Sequence, residues 1–136
     1  MGELIKRIKN KSFREFNNFL LKYFNNRLVK EFPRGSVKFA KEYFKNKIID
    51  VVEIGVFKGE NAKSIFKNLN VERFYAIDPY EEYKEYSNIE PYMTQSFLNK
   101  VETKAKFRLE DENVIWIKDY SDNTINIIPN VDFIYI

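Results

Sequence analysis

From residue 48 onward, short apolar runs alternate with amphipathic segments. Ile48–Ile54 (IIDVVEI) is almost continuously apolar, and Arg73–Ile77, Val114–Lys118 and Val131–Ile136 are runs of the same type. Between them, about Glu60–Leu69 and about Thr94–Leu109 space their apolar residues at helical intervals, and a short helix is expected near Asn123–Ile128. Runs of this length without strict alternation suit strands buried on both faces. Strand and helix in regular succession predict an α/β fold, a doubly wound parallel sheet with helices over both faces and right-handed crossovers.

Upstream the period is helical throughout. Ser12 followed by Glu15 has the form of a capping box, and Phe13, Phe16, Leu20, Phe24 and Leu28 follow at steps of three and four. This first helix should end before Pro33-Arg34-Gly35, after which Ser36 is placed to cap a second helix through Val37, Ala40, Tyr43 and Phe44. No repeat or low-complexity linker divides the chain. Residues 1–136 read as a single domain, with residues 1–47 a helical N-terminal cover and residues 48–136 a βαβ core.

The first strand carries Glu53 near its end and runs into Gly55-Val56-Phe57-Lys58-Gly59. The second strand ends on Asp78, 25 residues after Glu53. A glycine turn after one strand and an acid closing the next suit a nucleoside at the carboxyl ends of two parallel strands, with the acid on its ribose. A dinucleotide site needs a second glycine where the backbone approaches a pyrophosphate, and Phe57 stands there instead. That spacing disfavours NAD and FAD but suits a ligand without phosphate. Each residue also has a plainer reading, a tight turn for the glycines and an Asp-Pro turn starter for Asp78.

The stretches EIGVFKG and WIKDYSDNTINIIPNVDFIYI resemble class I S-adenosylmethionine-dependent methyltransferases, in particular the small-molecule O-methyltransferase branch of catechol and macrocin type. The resemblance covers roughly residues 37–136. It implies a Rossmann-like sheet with strand order 3-2-1-4 and S-adenosylmethionine as cofactor. Glu53 would lie near the cofactor's ammonium, Gly55 along the nucleoside, and Gly59 before helix N–H groups near the carboxylate. Asp78 would hold the ribose hydroxyls, Tyr80 would pack along the adenine, and Ser121 with Asp119 would border it. Asp119 stands where that branch usually has glycine, and helix capping would equally explain Ser121 and Asp122. The resemblance also implies an Asp after the fourth strand, opening a motif for catalysis and a divalent cation, and three further strands. The sequence stops at Ile136, so a truncated or split version is expected, with a missing C-terminal half, a partner or a homo-oligomer over the bare edge. No catalytic residue and no metal ligand can be assigned within the chain.

Composition narrows the chemistry further. There is no Cys and no His among the 136 residues, which removes disulfides, thiolate metal sites and imidazole bases. No apolar stretch reaches the roughly 18 residues of a membrane span, and MGELIKRIKNKSF lacks the apolar centre of a secretory signal, so a cytoplasmic location is expected. The net charge of +3 conceals a division. Residues 1–47 hold 13 Lys/Arg against Glu3, Glu15, Glu31 and Glu42, while the remainder has 10 against 16 acids. Because the basic residues alternate with apolar ones at helical spacing, a solvated helix face explains them, and nucleic-acid binding is the weaker alternative. Four Tyr and four Glu between Pro79 and Tyr92 read most simply as surface aromatics on a mobile loop, with a lid or substrate entrance as the alternative. The expected activity is methylation of a hydroxyl on a small molecule or sugar. The alternative is a non-catalytic nucleoside-binding or interaction domain that retains the pocket.

Overall fold

The structure, a computed structural model, describes residues 33–83 and 92–136 together with Ser12, Glu15 and Phe16. Those three residues are helical, and the rest of the expected first helix lies outside the described residues. So does most of the tyrosine-rich connection, Tyr86 included.

Four strands, β1 (Ile48–Ile54), β2 (Asn70–Ile77), β3 (Val114–Ile117) and β4 (Phe133–Tyr135), form one all-parallel sheet in the order β3-β2-β1-β4. Within residues 33–83 and 92–136 the helices that accompany them are α1 (Gly35–Phe44), α2 (Glu60–Asn68), α3 (Gln95–Arg108) and the single turn α4 (Ser121–Thr124). The fold is therefore α/β with a parallel sheet, as the alternating pattern predicts.

Alternate residues of each strand point to one face. Ile49 and Val51 of β1 and Phe74 and Ala76 of β2 form the main core with Val37 and Ala40 of α1, Ala62 and Ile65 of α2, and Leu109 just beyond α3. Val101 and Ala105 of α3 pack with Tyr80 and Trp116 on the same side. The expected helical cover on both faces is not found among the described residues. The opposite face buries Val52, Tyr75 and Ile77 beneath Ile128 and Val131, yet leaves Ile48, Ile115 and Ile134 at 64%, 39% and 56% exposure. The reason is local. The β3–β4 connection spends its length on one helical turn and irregular chain, and an apolar run cannot reveal what covers it.

Element ends differ from expectation where side chains intervene. Arg34, not Ser36, is the N-cap of α1 and makes no side-chain cap bond; the Lys38 N–H already reaches the Arg34 carbonyl at 3.0 Å. Thr94 caps α3 by accepting from the Phe97 N–H. α4 starts earlier than predicted because Asp119 Oδ1 accepts both the Tyr120 N–H and Asn123 Nδ2, at 2.7 Å each. β4 is anchored at its start by Asp132. Its N–H donates to the Asp50 carbonyl, and its carboxylate accepts the Asp50 N–H at 3.1 Å and Lys47 Nζ at 2.6 Å. No helix among the described residues is long and apolar enough to cross a membrane.

Candidate functional site

In a parallel sheet, ligands gather outside the carboxyl ends of the strands, at the point where strand order reverses. Here β1 is that point, because β2 lies on one side of it and β4 on the other. The last turns of β1, β2 and β4 bring Glu53, Asp78 and Tyr135 to this end of the sheet, and Glu53 is the register partner of Tyr135.

Glu53 sits on the core face of β1 and is 2% exposed. Its Oε1 accepts Asn61 Nδ2 at 3.0 Å, whereas Oε2 has no partner. The Asn61 Oδ1 and the Ser64 hydroxyl, one turn further along α2, are also buried and unpartnered. Buried polar groups are paired in the great majority of cases, so an orphaned carboxylate oxygen, with an orphaned amide oxygen on the side chain that bonds it, marks a place suited to a donor. Burial pushes the Glu53 carboxyl up to about 7, against the lowering effects of the Asn61 bond and the Arg34 charge, with Asp78 adding to the rise. An acid kept at such a cost is more characteristic of sites than of cores.

Asp78 is held differently. Its Oδ2 accepts the Phe57 N–H at 2.8 Å and its Oδ1 accepts the Tyr80 N–H at 2.9 Å. Each carboxylate oxygen carries two lone pairs, so two acceptor positions remain for hydroxyl donors. Tyr80 is placed in the core at 3% exposure, with its hydroxyl donating to the Phe57 carbonyl at 2.9 Å. Both backbone polar groups of Phe57 are thus fastened from the end of β2. Gly55, Phe57 and Gly59 all have positive φ, at 79°, 50° and 70°. Phe57 tolerates this left-handed backbone because its neighbours fix it, while the glycines need no such help. Gly59 also allows close packing: a Cβ there would meet Leu109 Cδ1 at 3.3 Å and Ala105 Cα at 3.5 Å.

The third loop lies beside the second. Tyr120 donates its hydroxyl to Glu81 at 3.1 Å, and Tyr83 sits edge-on against Tyr120 at 5.7 Å. Ser121 is exposed, and Asp119 is engaged in closing α4, its carboxyl held below the ordinary range by Asn123 and the Tyr120 N–H. Tyr92, at 59% exposure, meets Phe97 edge-on at 6.1 Å.

The structure therefore gathers Glu53, Gly55, Gly59 and Asp78 around one loop, adds Asp119 and Ser121 at the neighbouring strand end, and turns Tyr80 inward as a fastener. Sequence reasoning missed Asn61, Arg34 and Tyr135. Asn61 and Ser64 left a signal, since two polar residues flank Ala62 and Ile65 on the inner side of α2. Among the described residues no group of three or more His, Cys, Asp or Glu could hold a metal ion. No family model matches the chain, and neither a curated protein nor a solved structure does.

Proposed function

We propose that this chain is an S-adenosylmethionine-binding domain of the class I methyltransferase type, serving methylation of a hydroxyl on a small molecule or sugar. The observation that carries this reading is the pair of acids at adjacent parallel strand ends. Glu53 is buried with a free oxygen suited to an ammonium, and Asp78 is pre-set by two backbone N–H groups with acceptor capacity left for two hydroxyls. The phosphate-free spacing of the glycine loop agrees with it.

When bound, the cofactor supplies an already electrophilic sulfonium methyl. The chain's own part is to hold and orient. Glu53 and Asn61 accept from the ammonium, Asp78 accepts from the ribose, and the fastened loop keeps both ends in register. Ser121 and Asp119 would border the base. No residue of the chain is assigned to take the acceptor's proton. In the resembled branch a divalent cation is held by acids beyond the fourth strand, and no step here depends on it.

The open face carrying Ile48, Ile115 and Ile134 favours a second reading, a nucleoside-binding interaction domain using the same pocket. Calorimetric titration with S-adenosylhomocysteine tests what the two share. Saturable binding that Asp78→Ala loses, with the variant's circular dichroism unchanged, is expected. A folded wild-type chain that binds nothing would overturn both. Methyl transfer to hydroxyl acceptors separates them.

A further inference from the structure

The β4 side of the candidate site carries a cation that the nucleoside reading leaves unused. Arg34, the N-cap of α1, donates from Nη1 to the Tyr135 hydroxyl, and its guanidinium lies over the Tyr135 ring, 5.4 Å from the centroid. Tyr135 is the register partner of Glu53 on the neighbouring strand. Two residues one strand apart on the same face stand side by side, so the guanidinium held by Tyr135 lies on the side of the sheet that carries the buried carboxylate. Its charge is felt there, lowering the proton affinity of Glu53.

Arg34 and Glu53 nevertheless form no ion pair. The bond to Tyr135 is the one hydrogen bond of the Arg34 side chain among the described residues, and Glu53 Oε2 has no partner. A guanidinium has five N–H groups in a planar fork suited to a carboxylate, and Arg34 stays exposed. Opposite charges on one side of the paired ends of β1 and β4, each with unused bonding capacity and not spent on each other, match a ligand that carries both charges. An α-amino acid head is such a ligand.

We propose that Arg34, steadied by Tyr135, anchors the carboxylate of the ligand's amino-acid end, while Glu53 and Asn61 accept its ammonium. This rests on the S-adenosyl reading and deepens it. The site selects a zwitterion, and α1 is part of the binding site as well as of the cover. The first-turn N–H groups of α2, expected from the sequence to meet that carboxylate, have Glu60 among them and Gly59 packed against α3, a less favourable setting for an anion than the Arg34 fork.

Calorimetry with three ligands tests the proposal on the full chain: S-adenosylhomocysteine, its decarboxylated analogue, and the neutral methylthioadenosine. Wild type should bind the first about 10- to 100-fold more tightly than the second, the worth of a charge-assisted pair. Arg34→Gln should abolish that preference and leave methylthioadenosine unchanged. It should leave the decarboxylated analogue unchanged or tighter, because it removes a charge that repels the ammonium. Arg34→Lys should restore part of the preference, and Tyr135→Phe should reduce it. If Arg34→Gln weakens all three ligands alike, or none, the proposal is wrong while the S-adenosyl reading stands. If wild type binds none of the three, both fall.

Discussion

Replacing Glu53 by Gln should stabilise the protein at alkaline pH and leave it nearly unchanged at acid pH. The carboxyl is 2% exposed and its affinity for the proton is raised from 4.5 to about 7, chiefly by desolvation. Between those values the folded state binds more proton at this position than the unfolded state does. Stability therefore falls as pH rises through that window, and above it the whole loss remains. A shift from 4.5 to about 7, at about 1.4 kcal/mol per unit, corresponds to roughly 3 kcal/mol. Glutamine keeps the acceptor for Asn61 Nδ2 and has no charge to desolvate. Urea unfolding of both proteins at several pH values provides the measurement, since the other carboxylates are common to both and cancel in the difference. The advantage of Glu53→Gln should be small near pH 4.5 and grow to roughly 3 kcal/mol by pH 8. An advantage that stays flat to within about 1 kcal/mol across that range would show that the carboxyl is not desolvated as described. The same variant should bind S-adenosylhomocysteine more weakly, which is the usual exchange between stability and a charged site.

Other perturbations address the loops and the edge. Tyr80→Phe removes the hydroxyl that fastens the Phe57 carbonyl at 2.9 Å and should cost about 1–2 kcal/mol in urea titration; an unchanged midpoint would deny the fastening. Gly55→Ala and Gly59→Ala both force a side chain into a left-handed backbone, at about 1 kcal/mol or more each. Only the second also meets Leu109 and Ala105, so melting temperature should fall further for Gly59→Ala, and the reverse order would contradict the packing. Asp132 has its carboxyl held below the ordinary range by Lys47 and the Asp50 N–H. Asp132→Asn should therefore lower the melting temperature at neutral pH. Its deficit should shrink as pH falls below the ordinary range and through the folded value, where the wild-type carboxyl also loses its charge; a deficit that persists there would assign the loss to geometry.

The sequence made the strands legible because β1 to β4 contain short runs dominated by β-branched and aromatic residues, without the spacing of an amphipathic helix. Glu53 and Asp78 were legible because their positions relative to strand ends follow from those runs. The exposure of Ile115 and Ile134 was not, since both look like buried residues in a string of letters and their exposure depends on what packs above them. Tyr80 was read as a surface for a base, yet its inward turn depends on a positive φ that nothing in the local sequence encodes. Arg34 and Tyr135 were beyond reach for a different reason. They are 101 residues apart in the chain, and only parallel pairing beside β1 brings them together.

The double fastening of Phe57 bears on how quickly a ligand can be captured. A glycine-containing loop free to sample many conformations would be competent for only a fraction of encounters, and its ordering would slow association and weaken affinity in proportion. Here Asp78 and Tyr80 have already chosen the conformation, so the ordering cost falls on folding and not on binding. Association should then run at the rate set by diffusion and orientation, with differences among ligands expressed in how long each one stays. A stopped-flow trace of wild type would be single-exponential and linear in ligand concentration, whereas Tyr80→Phe would introduce a plateau as loop rearrangement becomes limiting.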